Sequence, residues 1–161
     1  ALIEQYDSKA LPAGITTKGL KNPIVRKAFS RSVSLKDNID INDCMTECYL
    51  TNNKYWNYEV LGRPEIKFLK YNTGGHYDWH IDIGSHRHNN RKLAFVIPLS
   101  KPEDYEGGEL IIKTSSRESS IPLEQGKIIL FPAFLLHKVT KVTQGKRYVI
   151  AGWLNGTQHF S

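Results

Sequence analysis

The sequence predicts a mainly β fold, either a barrel or a sandwich, with a helical flank. Short runs rich in β-branched and aromatic residues recur from residue 65 to residue 154, and turn residues bound each run. A chain with eight such strands and few helices is typical of the all-β architectures. The 161 residues contain no repeat, linker or low-complexity tract, so we expect one domain over 1–161.

The first predicted elements are a strand and a helix. Residues 24–34, IVRKAFSRSVS, alternate loosely between apolar and polar positions, which predicts a strand. Apolar residues then recur at helical spacing after two candidate caps, Asp40 and Asn42, and this pattern predicts a helix over about 42–54. The strands of the ladder that follows are predicted at 65–72, 76–80, 92–100, 109–114, 119–124, 127–132, 137–142 and 147–154.

Charge and hydropathy narrow the function classes. The net charge is +6, but the Lys and Arg residues form no run longer than two, which favours a solvated surface over a nucleic-acid interface. No apolar run approaches the roughly 20 residues that span a bilayer, so we expect no membrane partner. The opening ALIEQYDSKALPAG lacks the regions of a secretory signal, and we expect a cytoplasmic protein with Cys44 and Cys48 as reduced structural thiols.

Three dispersed residues form a candidate metal site. In the triplet HID, His80 and Asp82 occupy positions i and i+2, which share one face of a strand. His137, at the start of a later predicted strand, is the best candidate for a third ligand. Two imidazoles and one carboxylate leave open positions on an octahedral ion, which is the arrangement of non-haem Fe(II) oxygenases.

Such an ion can bind a chelating 2-oxo acid and then dioxygen, and the far carboxylate of the acid needs a fixed cation. Arg147 follows His137 by ten residues and can form a bidentate pair with that carboxylate.

The sequence resembles the 2-oxoglutarate and Fe(II)-dependent dioxygenases of the prolyl 4-hydroxylase-like group, which includes the PKHD-type hydroxylases. Three segments carry the resemblance: YNTGGHYDWHID at 71–82, PEDYEGGELII at 102–112, and LFPAFLLHKVTKVTQGKRYVIAGW at 130–153. Each motif alone is weak, but the three occur in the order and spacing of the family.

The resemblance implies a double-stranded β-helix (jelly-roll) with one or two flanking helices and a single Fe(II). It makes His80, Asp82 and His137 the catalytic metal ligands, and Arg147 the anchor of the cosubstrate 2-oxoglutarate. Tyr71 matches a tyrosine whose hydroxyl points into the cosubstrate pocket. Dioxygen is the second cosubstrate, and ascorbate is a candidate cofactor.

Tyr77 and Trp153 match aromatic residues near the site. The segment FVIPL at 95–99 departs from the family, since some relatives have a second pocket tyrosine on this strand.

The implied reaction hydroxylates a C–H bond, most simply of a peptidyl proline or another protein side chain, and releases succinate and CO2. One alternative is a nucleic-acid hydroxylase or demethylase of the same superfamily, which the basic pI favours. That branch carries two arginines six residues apart, and this chain has Trp153 six residues after Arg147. Another alternative is a cupin-like metal-binding module without oxygenase activity, which would not need Arg147.

The remaining histidines are predicted not to be metal ligands. His86 and His88 lie in a polar segment, SHRHNNR, that is typical of a mobile loop able to fold over a substrate, and His76 lies farther along the strand from the ligand pair. We expect Arg87 and Arg91 of this loop to contact an acidic peptide.

Overall fold

Antiparallel strands dominate the structure, as the recurring apolar runs predict. The computed structural model describes residues 2–13, 15–17, 20–22, 25–37, 39–84 and 88–157. The strands are β1 (Leu11–Ala13), β2 (Ile15–Thr17), β3 (Leu20–Asn22), β4 (Arg26–Ser32), β5 (Glu65–Tyr71), β6 (His76–His80), β7 (Arg91–Pro98), β8 (Tyr105–Gly107), β9 (Leu110–Thr114), β10 (Arg117–Ile121), β11 (Ile129–Pro132), β12 (Leu136–Val139), β13 (Val142–Gly145) and β14 (Arg147–Asn155). The α-helices are α1 (Leu2–Tyr6) and α2 (Ile39–Tyr55). The predicted mainly β class with flanking helices is confirmed.

Ten strands form one curled sheet. Nine of them follow the order β10-β9-β12-β6-β4-β5-β14-β7-β11, and β1 pairs with β4 beside this path. Strands from both halves of the path, such as β6 and β12 on one side and β5, β14 and β7 on the other, line a common cavity. The curl therefore makes two facing layers, as in the jelly-roll that the sequence predicts.

The long strand β14 explains how the two layers are filled. It pairs with both β5 and β7, and its residues alternate between two cores. Val149 and Ala151 pack on the inner side, towards the cavity, whereas Ile150 and Leu154 pack on the outer side. Because both faces are buried, the strand reads as an almost continuous apolar run.

The helix α2 covers the outer side of the sheet. Its residues Ile41, Met45 and Cys48 are buried against Phe68 of β5 and Ile150 of β14. Full burial of an aliphatic side chain of this size contributes about 1.5–3 kcal/mol. The helix thus closes the outer core and leaves the inner side of the sheet for the cavity.

The helix begins earlier than the sequence predicts. The predicted range is about 42–54, and the observed helix begins at Ile39. Asn42, a predicted cap, instead donates a side-chain hydrogen bond to the carbonyl of Leu35, 3.1 Å away. A contact with the preceding turn therefore replaces the local capping bond that the pattern suggested.

The predicted strand at 137–142 is wrong in its extent. The chain divides there into β12 and β13, because the N–H of Thr140 bonds to the carbonyl of Glu109 and the chain then turns to pair with β8. The segment of β8 was predicted as part of a turn. Strands of three or four residues are too short for their alternation to be recognised.

In the part of the chain that the structure describes, no helix combines the length and the apolar character needed to cross a bilayer.

Candidate active site

His80, Asp82 and His137 meet at the cavity between the two layers. His80 ends β6 and His137 lies on β12, and their Cα atoms are direct partners in the antiparallel pairing of these strands. Nε2 of His80 lies 3.6 Å from Oδ1 of Asp82, and Nε2 of His137 lies 3.5 Å from Oδ2. One ligand atom from each residue lies within 4.8 Å of the others, so the three side chains could hold a metal ion.

Asp82 reaches this position by a different route from the predicted one. The strand ends at His80, so the i, i+2 alternation of a strand does not extend to Asp82. Instead, the N–H of Asp82 donates to the carbonyl of Ala133 at 2.9 Å, and the carbonyl of Asp82 accepts from the Arg91 guanidinium at 3.2 Å. These two hydrogen bonds orient the backbone so that the carboxylate faces both imidazoles.

Backbone carbonyls set the tautomer of both histidines. Nδ1 of His80 lies 2.7 Å from the carbonyl of Asp78, and Nδ1 of His137 lies 2.8 Å from the carbonyl of Leu135. A carbonyl oxygen can only accept, so each Nδ1 carries the proton and each Nε2 presents its lone pair towards Asp82. This is the tautomer that a metal bound at Nε2 requires.

The surroundings also keep His80 neutral. Burial, followed by the neighbouring His137, lowers the pKa of His80 to about 4. The ring of Tyr77 stacks on His80 with centroids 3.4 Å apart and an interplanar angle of 12°. Two imidazoles with available lone pairs and one carboxylate form a donor set that fits Fe(II).

Arg147 lies deeper in the same cavity, which has a volume of about 620 Å³. It begins β14 opposite Tyr71 of β5, and its guanidinium carbon lies 5.0 Å from the centre of the tyrosine ring. Only 1% of Arg147 is exposed, its Nε has no hydrogen-bond partner, and no carboxylate of the described residues pairs with it. A buried cation without a counterion is costly, so this site fits an anion such as the predicted carboxylate of a 2-oxo acid.

Gly108 makes room for Arg147. Its φ is +62°, a conformation that favours glycine, and a Cβ at this position would lie 2.8 Å from Cδ of Arg147. The segment EGGEL therefore shapes the arginine site.

Arg91 is not part of a mobile loop, which corrects the prediction. It begins β7, is 7% exposed, and pairs through Nη2 with Glu65 at 2.7 Å. Its guanidinium carbon lies 3.6 Å from the centre of the Trp153 ring. An ion pair and a stacked aromatic ring therefore hold Arg91 in the wall of the cavity, because a strand begins where the polar pattern suggested a loop.

The structure describes only some of the other residues that the sequence analysis considered near the site. His88 lines the cavity, whereas His86 and Arg87 lie outside the described residues. His76 lies apart from the described cavity lining and its Nδ1 contacts the carbonyl of Gly74 at 3.3 Å. The Nε1 of Trp153, in the cavity wall, is buried without a partner.

The sequence reasoning missed Arg26, which also lines the cavity. Arg26 begins β4, and its guanidinium carbon lies 4.4 Å from the centre of the Tyr77 ring. The sequence does contain a signal for Arg26. Alternation along the strand places it on the same inner face as the buried Ala28, so a charged residue occupies a position where an apolar one is expected.

Comparison with known proteins agrees with this geometry. The sequence profile of the 2OG-Fe(II) oxygenase superfamily matches residues 66–155. A PKHD-type hydroxylase of Parvibaculum lavamentivorans is 31% identical over 153 residues, which cover 94% of this chain and 67% of the relative.

Solved structures share the fold. A Pseudomonas putida prolyl-4-hydroxylase superposes with a TM-score of 0.75 at 19% identity, covering 94% of this chain and 80% of the other. A Trichoplax adhaerens prolyl hydroxylase in complex with a hypoxia inducible factor peptide fragment superposes with a TM-score of 0.77 at 16% identity, covering 96% and 74%. The matched profile extends from β5 to β14 and contains His80, Asp82 and His137. The chain therefore belongs to the 2OG-Fe(II) oxygenase superfamily and is a 2-oxoglutarate-dependent dioxygenase.

Proposed function

We propose that this dioxygenase hydroxylates a C–H bond of a peptide or protein, most simply of a peptidyl proline, and releases succinate and CO2. The observation that carries the proposal is one cavity that contains both a two-histidine, one-carboxylate cluster and a buried arginine that has no counterion among the described residues. A cupin-like module that binds only a metal has no use for that arginine.

In this proposal His80, Asp82 and His137 hold Fe(II), and Arg147 binds the far carboxylate of 2-oxoglutarate. Tyr71 packs beside Arg147 and narrows the same part of the cavity. The family implies Fe(II), 2-oxoglutarate and O2, which together supply the oxidising chemistry when bound. Ascorbate as a further cofactor stays a prediction.

The chain itself contributes position and shielding. The carbonyls of Asp78 and Leu135 hold the two imidazoles with their lone pairs turned inwards. Apolar residues such as Ala94, Val96 and Phe131 line the cavity around the cluster. Such walls limit access of water to the reacting groups, which strengthens the charge interactions inside.

The mouth of the cavity supports a peptide as substrate. Of the large apolar side chains near the candidate ligands along the chain, Ile81 lines the cavity and is 49% exposed, whereas Phe134 and Leu136, 47% and 37% exposed, lie outside the described lining. Exposed apolar groups around a site are typical of interaction surfaces. The Trichoplax protein, which shares the fold, is a prolyl hydroxylase in complex with a peptide, and this motivates the choice of proline.

The test compares substrate classes on the Fe(II)-loaded protein. We expect proline-containing peptides to increase succinate formation and to gain the mass of one oxygen atom, whereas methylated oligonucleotides should do neither. Oligonucleotide binding should also be weak and vanish near physiological salt, because dispersed charges neutralise few phosphates. Stimulation by methylated oligonucleotides and not by peptides would overturn the peptide proposal. The single-domain organisation and the cytoplasmic location stay predictions.

A further inference from the structure

Arg26 has no role in holding the metal or the 2-oxo acid as proposed above, yet it lies in the same cavity. We propose that Arg26 binds the carboxylate of an Asp or Glu side chain of the peptide substrate, next to the residue that is hydroxylated. This inference rests on the proposed peptide hydroxylation and adds a specificity for acidic sequences.

The position of Arg26 places it beside the metal cluster. Its Cα pairs with that of Tyr77 across β4 and β6, and the guanidinium lies over one face of the tyrosine ring. The same ring also stacks on His80, with centroids 3.4 Å apart. Arg26, Tyr77 and His80 therefore form a continuous stack from the cavity wall to the proposed metal.

Arg26 is not satisfied by the protein. Its Nε is buried without a hydrogen-bond partner, and none of the carboxylates in the described parts of the chain pairs with it. The contact with Tyr77 is a cation–π interaction, which leaves the in-plane N–H donors of the guanidinium unused. These donors can form a charge-assisted bond with a carboxylate that enters the cavity.

Among the described cations that line the cavity, Arg26 is the one that neither contacts a carboxylate nor has a ligand in the proposed function. The described lining residues include four cationic side chains and one carboxylate: Arg26, Lys67, Arg91, Arg147 and Asp82. Lys67 and Arg91 share Glu65, at 3.2 and 2.7 Å. In the proposed function Asp82 faces the metal and Arg147 binds the cosubstrate. Arg26 alone then lacks an anion, and the substrate is the remaining component that can supply one.

A peptide carboxylate fits this site better than a nucleic-acid phosphate. Binding of a nucleic-acid backbone uses several cations along a groove, because phosphates repeat along the strand. Here, once Arg147 is assigned to the cosubstrate, the guanidinium of Arg26 is the remaining unpaired one among the described lining residues, next to the reacting centre. One planar cation matches one carboxylate, and the geometry favours a side chain close to the residue to be modified.

The experiment measures binding separately from turnover. The protein is loaded with Mn²⁺ and 2-oxoglutarate, and affinities are measured for twin proline-containing peptides that carry either Glu or Gln beside the proline. The variants are Arg26→Gln and Arg26→Lys. Arg31→Gln is the matched control, because Arg31 lies on the same strand, is exposed, and loses the same charge.

We expect the wild-type protein to bind the Glu peptide about tenfold or more tightly than its Gln twin, as for other charge-assisted hydrogen bonds. Arg26→Gln should abolish this preference while Mn²⁺ affinity is retained, Arg26→Lys should retain part of it, and Arg31→Gln should leave it unchanged.

Equal affinity of the wild-type protein for the twins, including no measurable binding of either, would overturn the inference, as would equal effects of Arg26→Gln and Arg31→Gln. Arg26-dependent binding of an oligonucleotide in place of the peptides would also overturn it. Turnover separates the two proposals. If the wild type and Arg26→Gln hydroxylate both peptides at the same rate, peptide hydroxylation stands and the role of Arg26 is refuted. If the Glu peptide binds preferentially through Arg26 but is not hydroxylated, only the proposed reaction is refuted.

Discussion

Asp82 is the residue on which the proposed metal site depends most, because its two carboxylate oxygens face the two imidazoles separately. Each histidine is oriented by the carbonyl of the residue two positions before it, but Asp82 lies beyond a strand end and is held by bonds to Ala133 and Arg91. The candidate site therefore combines two side chains that are positioned locally with one that is positioned by distant segments.

Asp82→Ala should abolish binding of Fe(II) or of Mn²⁺ as a stand-in, since it removes the only anionic ligand of the cluster as described. Metal stoichiometry after equilibrium dialysis measures this directly. His76→Ala serves as the control and should keep the wild-type stoichiometry, because His76 lies apart from the described cavity lining. Full metal binding by Asp82→Ala would contradict the ligand assignment.

Arg147→Ala should weaken binding of 2-oxoglutarate by about 10- to 150-fold, which corresponds to the loss of about 1.5–3 kcal/mol for a charge-assisted hydrogen bond. The affinity is measured on the metal-loaded protein, and metal binding itself should persist. The exposed neighbour Lys146 provides the control, since Lys146→Ala removes a charge of the same sign outside the cavity. An unchanged affinity in Arg147→Ala would move the anchor to another residue.

At the scale of elements, the turn between β8 and β9 is shaped to accept the side chain of Arg147. Gly108→Ala should therefore weaken 2-oxoglutarate binding without loss of metal, because the new Cβ would collide with Cδ of Arg147. Gly126→Ala is a matched control: Gly126 also has a positive φ, +79°, but nothing lies within 4 Å of its Cβ position. Both variants carry the backbone strain, so a cosubstrate defect in both would assign the effect to strain alone.

The ion pair that joins β5 to β7 should make stability depend on pH. Burial alone would raise the pKa of Glu65, but the hydrogen bonds and charges of Arg91 and Lys67 outweigh it and hold that pKa below its usual value of 4.5. A lowered carboxyl pKa contributes stability above the unfolded value, and this contribution is lost as pH falls through the folded pKa.

Glu65→Gln should therefore reduce the free energy of unfolding at neutral pH and reduce its decline below about pH 4.5, as measured by urea denaturation across pH. The control is Glu124→Gln, which removes an exposed pair with Lys127 and should change little. If the free energy of unfolding declined equally with falling pH in the wild type and in Glu65→Gln, this ion pair would not contribute.

For the molecule as a whole, the sequence singles out residues that the structure brings together, whereas it misses several details of the fold. The triplet HID, the distant His137 and Arg147 are separated along the chain, and their spacing indicates chemistry before any contact is known. The structure brings these residues to one cavity between two layers. The class of fold follows from the short runs of β-branched and aromatic residues that turn residues separate.

Other features could not be read from the sequence, for identifiable reasons. Arg91 stands in a polar segment, and only the partner carboxylate of Glu65 and the ring of Trp153 reveal that it is buried. Arg26 lies in a strand that alternates loosely, so its inward direction depends on pairing with β6. In both cases contacts between distant segments determine the surroundings of the arginine side chain, and a local sequence pattern cannot predict such contacts.

The measurement that tests the central claim most directly is the stoichiometry of the reaction with and without the carboxylate ligand. With Fe(II), 2-oxoglutarate and a peptide that is hydroxylated, the wild-type protein should form one succinate for each O2 consumed, and the peptide should gain one oxygen atom. Asp82→Ala should form none above the level of free Fe(II). Undiminished succinate formation by Asp82→Ala, or succinate formation by the wild type that does not require Fe(II), would contradict the account.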